Sequence, residues 1–292
     1  MHQFSYAIPG SIRELLSLLS DSLGSKRILA GGTDLIVQMR SGAVTPDLVI
    51  DVKKIPEFSS LTLSDLGLTI GAAVSCRTIC EDKIVAKAYP ALIDAATLIG
   101  SVQIQGRASI GGNLCNASPS ADSIPALIAL GANAIIQNAN SARELPVEEF
   151  CIGPGKNTLV DGEALVSLRL PVPLKHSGAQ FLRFTPRIEM DIAVANTAAS
   201  VVLSDDGKRF ASARIAIGAV APVPLLVREA GDILRGKSVS TESIAAAAEI
   251  AKLAASPIDD MRGSIAQRRQ LIQVLVSRAL HGAIGRATRS NS

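Results

Sequence analysis

Two glycine-rich segments constrain this chain more than any other feature of its sequence. The first runs from Ala30 to Leu35 and reads AGGTDL, and the second runs from Ser109 to Asn113 and reads SIGGN. Because glycine has no Cβ, paired glycines let the backbone turn through positive φ and let a ligand approach consecutive N–H groups. Neither segment has the spacing of a P-loop or of G-x-G-x-x-G. Each alone is typical of an ordinary tight turn, but together they predict a bound dinucleotide with its diphosphate against both turns.

Length and composition predict a cytoplasmic protein of two or three packed units. The chain has 292 residues, more than one average domain. Its four cysteines form no paired C-x-x-C sets, which favours buried thiols in a reducing compartment. The longest nearly apolar stretch, residues 124–136, is interrupted by Pro125 and Gly131 and is too short to cross a bilayer. The first residues have neither a basic leader nor a following apolar segment.

The charge distribution argues against a nucleic-acid partner. The net charge is only +3, and most basic residues are scattered apart from Arg268-Arg269 and the tail with Arg286 and Arg289. Aromatic residues make up 3% of the chain and tryptophan is absent, so a base-stacking surface is not expected.

Periodicity and turn residues divide the chain into three units of an α+β protein. The first, residues 1–58, opens with the capping-box pattern Ser11-x-x-Glu14 and continues with a strand, the first glycine turn and a buried helix from Leu35. The second, residues 59–175, alternates strands with helices, one of which is predicted to run from Pro90 to Ile99.

The third unit, residues 176–286, is the clearest antiparallel part of the sequence. Two apolar strands flank Asp206-Gly207, a hairpin signal, and two helices follow. Residues beyond Arg286 are predicted to fray.

Further strings follow the two glycine segments in order. ASPSAD ends at Asp122, DGEAL begins at Asp161, FLRFTPR at Phe181, DIA at Asp191 and PIDDMR at Pro257. Together with AGGTDL and SIGGN, this ordered set resembles the FAD-binding medium subunit of molybdenum hydroxylases, the xanthine dehydrogenase and carbon monoxide dehydrogenase family. The resemblance covers nearly the whole chain, and the set is specific although no single string is.

The resemblance implies a PCMH-type, two-subdomain FAD-binding fold shared with vanillyl-alcohol oxidase-like enzymes, followed by a C-terminal domain with a small antiparallel sheet and helices. FAD is expected between the first two units, with its diphosphate against both glycine turns. All three histidines lie outside those turns, so the attachment is expected to be non-covalent. The implied cofactor-binding residues are Ile28, Leu29, Ala30, Gly31, Gly32, Thr33, Asp34, Leu35, Gly100, Ser109, Ile110, Gly111, Gly112, Asn113, Asp122, Leu165 and Arg183.

Several of these residues have an expected role. The hydroxyls of Thr33 and Ser109 can donate to phosphate oxygens, and Asn113 can bond to the diphosphate or to its neighbouring main chain. The family match implies that Asp122 accepts from the ribityl chain or the flavin edge, although a helix cap is the alternative interpretation.

The family match also implies that Gly100, Leu165 and Arg183 lie along the flavin. For Arg183 the alternative is a surface cation. Many relatives have lysine there, and arginine keeps the charge with a different hydrogen-bond geometry. Some family members carry an aromatic residue at the position of Ile192, where it covers the flavin ring. This chain has an aliphatic residue there, so the sequence does not identify a residue that covers the ring.

The family implies one component of a larger oxidoreductase. A large subunit oxidises the substrate at a molybdenum cofactor, and a small subunit passes electrons through [2Fe–2S] clusters. FAD on this chain then delivers them to NAD+, oxygen or another acceptor, in an assembly expected to be a dimer of heterotrimers. The sequence itself has no molybdenum or iron–sulfur ligation motif and no catalytic triad.

Two alternatives stay open at this point. A self-contained FAD-dependent oxidase or MurB-like reductase of the same broad fold would need a local acid or base. A non-enzymatic scaffold whose glycine turns hold another adenine nucleotide would be colourless, whereas a flavoprotein is yellow.

Overall fold

The computed structural model describes residues 2–21, 24–188 and 190–289. The described residues form an α+β fold with three larger sheets and one two-stranded ribbon, which confirms the fold class expected from the sequence. The first two sheets share one hydrophobic core, which includes Leu15, Ile50 and Leu168, and the third sheet has a core of its own.

A three-stranded parallel sheet occupies the N-terminal part. Its strands are β1 (Ser5–Ala7), β2 (Lys26–Leu29) and β3 (Leu48–Asp51), in the order β1-β3-β2, with helices α1 (Ile12–Ser20) and α2 (Leu35–Ser41). The Ser11 hydroxyl caps α1 by accepting from the Glu14 N–H at 3.2 Å, as the capping pattern predicts. The Glu14 carboxylate accepts instead from the Gly10 N–H, one residue earlier than in a capping box.

Helix α2 differs from the buried helix that the sequence predicts. Only Met39 is buried, while Ile36 and Val37 are 40% and 62% exposed. With seven residues, the helix turns one narrow face toward the sheet, so the remaining apolar side chains stay outside it.

An antiparallel five-stranded sheet forms the centre of the molecule. It has the order β4-β5-β10-β6-β7, and the ribbon β8-β9 lies apart from it. These strands are β4 (Leu61–Ser64), β5 (Gly67–Gly71), β6 (Asn133–Gln137), β7 (Ala142–Pro146), β8 (Cys151–Gly153), β9 (Lys156–Asn157) and β10 (Ala164–Leu170).

Seven short helices accompany the central sheet. They are α3 (Pro56–Ser59), α4 (Cys76–Glu81), α5 (Lys83–Ala88), α6 (Pro90–Ala96), α7 (Val102–Gln105), α8 (Ile110–Asn116) and α9 (Ser123–Ala129). Helix α6 ends before the predicted Ile99, because the Gln105 amide donates to the Thr97 carbonyl at 2.7 Å and the chain turns through Gly100 at φ +59°.

The C-terminal part is an antiparallel sheet covered by helices. Its strands β11 (Ser177–Phe184), β12 (Ala195–Leu203), β13 (Phe210–Gly218) and β14 (Leu225–Leu226) pair in that order, and the helices are α10 (Arg228–Asp232), α11 (Thr241–Ala254) and α12 (Ile265–Arg289). The predicted hairpin joins β12 to β13, with Gly207 at φ +70° and its N–H on the Ser204 carbonyl.

Helix α12 continues past the point where the sequence predicts fraying. The Arg286 guanidinium holds both carboxylate oxygens of Asp94 on α6, at 2.6 and 2.9 Å, and donates to the Ala179 carbonyl. This contact ties the end of the helix to the central part of the molecule. No helix in the described part of the chain has the length and apolar content needed to span a membrane.

The contact between β11 and α12 depends on Gly178. A Cβ there would overlap the backbone of Ala283 and Ala287. We expect Gly178→Ala to lower the free energy of unfolding by about 1–3 kcal/mol, as overpacking does. In Gly285→Ala, the new Cβ meets nothing within 4 Å, so the better helix former should raise stability by about 0.5–1 kcal/mol. Urea unfolding of both variants checks this, and equal effects would contradict the packing.

Candidate functional site

A cavity of about 1230 Å³ runs between the N-terminal sheet and the central part of the molecule. Both glycine-rich segments line it, together with the ends of α1 and β2 and residues 155–163. Twelve of the residues implied by the family match lie in its wall: Ile28, Ala30, Gly31, Gly32, Thr33, Asp34, Leu35, Ser109, Gly111, Gly112, Asn113 and Leu165.

The two glycine segments are in direct contact. A Cβ on Gly31 would overlap the Arg107 carbonyl and come within 3.1 Å of the Ala108 Cα. Gly31 therefore lies flat against the peptide that leads into the second segment, and any side chain there would force the two apart. The missing Cβ at Gly31 therefore lets two distant segments line the same cavity. In sequence, Gly31 and Ser109 are 78 residues apart.

The second segment is a helix N-terminus rather than a turn. Ser109 is the N-cap of α8, and its hydroxyl accepts from the Gly112 N–H at 3.1 Å. The sequence prediction of a turn is wrong here because a serine followed by small residues suits either structure. Gly111 is required by packing, since its Cβ would lie 2.5 Å from the Ala72 carbonyl oxygen. Of the four paired glycines, only Gly32 has positive φ, at +78°.

Unpaired backbone donors are concentrated at these two segments. Within residues 2–21, 24–188 and 190–289, the N–H groups of Gly31, Gly32, Thr33 and Gly111 donate to no other protein group. The first N–H groups of a helix lack partners within the helix and attract anions. The wall between the segments therefore offers hydrogen-bond donors that suit a phosphate.

Charged side chains do not give the cavity a strong positive field. Lys26 and Arg27 line it, but so do the carboxylates of Asp21, Asp34, Asp161 and Glu163. Burial raises the pKa of Asp34. The Glu163 carboxylate instead accepts two hydrogen bonds from the Arg143 guanidinium, at 2.7 and 2.8 Å, and these bonds lower its pKa despite partial burial. Anion binding here depends mainly on backbone N–H groups.

Two lining residues that sequence reasoning missed join the glycine segments. The Gln38 amide on α2 donates to the Asn116 side chain on α8 at 3.1 Å. The loop around the ribbon also reaches the cavity, where Gly155 donates to the Ala117 carbonyl and Asn157 to the Cys115 carbonyl. No local pattern marks these residues, because each acquires its position from a partner distant in sequence.

Five residues implied by the family match lie outside the cavity wall: Leu29, Gly100, Ile110, Asp122 and Arg183. Ile110 is fully buried in the core, and Gly100 packs against the Ile104 side chain. Ile192 also lies outside the wall and is 48% exposed.

Asp122 and Arg183 form a buried ion pair. Their side chains are 10% and 6% exposed, and the guanidinium donates to Asp122 Oδ2. Asn196, opposite Arg183 on the next strand, donates to Asp122 Oδ1 at 3.3 Å. Asp122 occupies the N-cap position of α9 but makes no capping bond, so the cap interpretation is wrong. Arg183 is not the surface cation of the alternative interpretation either.

Burial dominates the protonation of Asp122. It raises the pKa to about 6, while the charge of Arg183 and the hydrogen bonds from Asn196 and Arg183 act in the opposite direction. The side-chain oxygen of Asn196, Oδ1, is also buried, and it has no hydrogen-bond partner in the described residues. The polar cluster thus joins the C-terminal sheet to α9 at a cost in desolvation.

Metal ligands and disulfides are not a feature of this site. Among the described residues, no group of three or more His, Cys, Asp or Glu side chains is placed to hold a metal ion. All four cysteines are free thiols, and burial raises the pKa of Cys115, which lines the cavity, to about 12.

Two family models match the chain. Residues 2–173 match the FAD binding domain in molybdopterin dehydrogenase, and residues 180–283 match the CO dehydrogenase flavoprotein C-terminal domain.

Curated relatives match over nearly their full length. The chain is 31% identical to the 6-hydroxypseudooxynicotine dehydrogenase complex subunit alpha of Paenarthrobacter nicotinovorans, covering 97% of this chain and 95% of that protein. It is 30% identical to the xanthine dehydrogenase FAD-binding subunit of Escherichia coli O157:H7, covering 97% of each.

Solved structures share the fold at similar identity. Carbon monoxide dehydrogenase from Hydrogenophaga pseudoflava superposes with a TM-score of 0.92 at 30% identity, covering 97% of this chain and 98% of that one. Quinoline 2-oxidoreductase from Pseudomonas putida 86 superposes with a TM-score of 0.89 at 29% identity, covering 98% of each chain.

Removing the Arg183 cation should destabilise the protein in a pH-dependent way. The folded pKa of Asp122, about 6, exceeds the unfolded value of about 3.9, so Asp122 reduces stability as pH rises between them. Arg183→Met should raise the folded pKa of Asp122 further, so that this loss of stability extends to higher pH. We expect a loss of about 3 kcal/mol at pH 8, where the carboxylate is unpaired, and less than half of it at pH 5.

Denaturant unfolding at the two pH values measures this difference. Arg169→Met is the control, since its side chain is 49% exposed and that of its partner Glu144 is 43% exposed, and it should change stability little at either pH. An Arg183→Met effect of equal size at pH 5 and pH 8 would contradict the account.

Proposed function

The chain belongs to the family of FAD-binding medium subunits of the xanthine dehydrogenase and carbon monoxide dehydrogenase type, and from this premise we propose that its two glycine segments together hold the diphosphate of FAD. It is the flavoprotein component of an oxidoreductase. The observation that carries the proposal is the contact of Gly31 with the Arg107–Ala108 peptide, which brings residues with unpaired N–H groups from both segments into the wall of one cavity.

The residues present fit FAD. The cavity is large enough for a dinucleotide, and its unpaired N–H groups belong to residues where a side chain would interfere: a Cβ on Gly31 would overlap the Arg107 carbonyl, and one on Gly111 would come 2.5 Å from the Ala72 carbonyl oxygen. Bound FAD supplies an isoalloxazine that exchanges electrons singly or in pairs. The chain's own residues bind and orient that group.

Polar side chains beside the backbone donors are already oriented. Ser109 Oγ accepts from Gly112, which leaves its O–H free to donate to a phosphate oxygen. The side-chain oxygen of Asn113, Oδ1, accepts from the Ser123 hydroxyl at 2.6 Å, so the side-chain NH2 group of Asn113 can donate to the ligand. Thr33 provides a third hydroxyl in the first segment.

The proposed flavin end of the site includes Leu165 and Gly100. Leu165 lines the cavity, and Gly100 follows Ile99, which also lines it. For Asp122 and Arg183, the proposal rests on the family motif, since their side chains pair with each other outside the cavity wall.

Within a complex, the FAD of this chain receives electrons from [2Fe–2S] clusters of a small subunit and passes them to NAD+, oxygen or another acceptor. A large subunit with a molybdenum cofactor oxidises the substrate, and two heterotrimers form the assembly. Relatives named as a dehydrogenase complex subunit and as medium chains support a multi-subunit setting. We further propose non-covalent FAD, a cytoplasmic location, which the free thiols favour, and units divided as 1–58, 59–175 and 176–286.

Purification from the native host tests the complex. We expect a large and a small subunit to co-elute with this chain, with molybdenum and iron present by metal analysis. A yellow chain that elutes alone and turns over an organic donor unaided would favour a self-contained flavoenzyme.

The diphosphate site is tested by a matched pair of glycine variants. Gly32 and Gly42 have nearly the same positive φ, +78° and +76°, but only Gly32 lines the cavity. A Cβ on Gly42 meets nothing within 4 Å. We expect Gly32→Ala to weaken FAD binding at least tenfold, about 1.4 kcal/mol, and Gly42→Ala to retain wild-type affinity.

Equilibrium dialysis of FAD with each purified chain gives the comparison. Both substitutions introduce the same backbone strain, but a Cβ on Gly32 would also come 2.8 Å from Leu29 Cδ1 and 3.1 Å from Ile36 Cδ1. The Tm of each ligand-free variant is therefore measured beside its FAD affinity, so that a loss of affinity without a loss of folding reports on the cavity. Equal FAD affinity in the two variants would contradict the proposed site.

A further inference from the structure

Lys53 contacts the backbone of the first glycine segment. Its ammonium donates to the Ala30 carbonyl at 3.1 Å and to Asp51 Oδ1 at 2.6 Å. Ala30 and Gly31 line the cavity, whereas Lys53 does not. We propose that Lys53 is a positioning residue for the FAD diphosphate, which acts by fixing the direction of the Ala30–Gly31 peptide. This inference rests on the proposed placement of the diphosphate.

Peptide geometry connects the lysine to the ligand. In a trans peptide, the C=O of one residue and the N–H of the next belong to one plane and point in opposite directions. The described residues contain no cis peptide bond. Because the Lys53 ammonium holds the Ala30 carbonyl, the Gly31 N–H is directed away from that ammonium, and it donates to no protein group in the described residues.

The lysine is itself held in place. Asp51 Oδ1 accepts from the Lys53 ammonium and from the Lys53 backbone N–H, and Asp51 Oδ2 accepts from the Tyr6 hydroxyl at 2.6 Å. Although burial raises it, the pKa of Asp51 is lowered overall by these bonds from Lys53 and Tyr6. The ammonium therefore has a fixed anionic partner on one side and a single backbone carbonyl on the other.

Without that anchor, the Ala30–Gly31 peptide is free to reverse. Glycine occupies positive and negative φ about equally well, so Gly31-Gly32 presents little barrier to a peptide flip. The flipped peptide would turn a carbonyl oxygen toward the diphosphate and remove one N–H donor from it. Lys53 thus selects one of two backbone states that the paired glycines allow.

Lys53→Met keeps most of the aliphatic stem and removes the donor. In the full chain, we expect the Kd of FAD and the Kd of ADP, which carries the same diphosphate, to rise by a similar factor of about ten. The 31P resonances of bound FAD should shift, while the visible spectrum of the bound isoalloxazine stays close to wild type. The Tm of the ligand-free chain should fall by a few degrees, because Asp51 loses its ammonium partner. Lys54→Met, at the exposed neighbouring lysine, is the control and should match wild type throughout.

Wild-type FAD affinity in Lys53→Met overturns this inference and leaves the glycine site standing, whereas equal affinities in Gly32→Ala and Gly42→Ala overturn the site itself. An altered flavin spectrum, without a 31P shift, would make Lys53 merely structural and also overturn it. If Lys53→Met does not fold, Asp51→Asn removes the anionic partner of the same ammonium and should weaken the binding of FAD and of ADP alike. Unchanged binding in Asp51→Asn would also contradict the inference.

Discussion

The close approach of two backbone segments at Gly31 is the constraint on which the rest of the structure depends. A side chain at that position would overlap the Arg107 carbonyl, so the first glycine segment can approach the second only through bare backbone. That contact sets the first turn beside the N-terminus of α8 and leaves a cavity with donors on both sides. Gln38 and Asn116 reinforce it with a hydrogen bond between α2 and α8.

Polar contacts then join the C-terminal part to this framework. Arg183 and Asn196 on adjacent strands grip Asp122, and Arg286 holds Asp94 with two hydrogen bonds. The Arg183–Asp122 pair is buried and the Arg286–Asp94 pair is partly buried. A buried pair contributes little net stability compared with apolar packing, but it leaves a costly unpaired charge if broken. These pairs therefore fix the orientation of the third sheet more than they strengthen the fold.

Much of the fold and the centre of the site could be predicted from sequence because local chemistry determines them. The Ser11 cap, the hairpin at Gly207 and the two glycine segments all have short-range signatures. What could not be predicted depends on distant partners. Nothing near Lys53 marks its contact with Ala30, and nothing in the sequence distinguishes Asp122 as an ion-pair partner from Asp122 as a cap. Ser109 illustrates a third case, in which one residue pattern suits both a turn and a helix start.

A crystal structure of the chain with FAD bound tests the central claim most directly. Diphosphate oxygens should then lie about 2.7–3.2 Å from backbone nitrogens of both segments, in residues 31–33 and at Gly111. A diphosphate held by one segment alone, or lying elsewhere in the cavity, would contradict it.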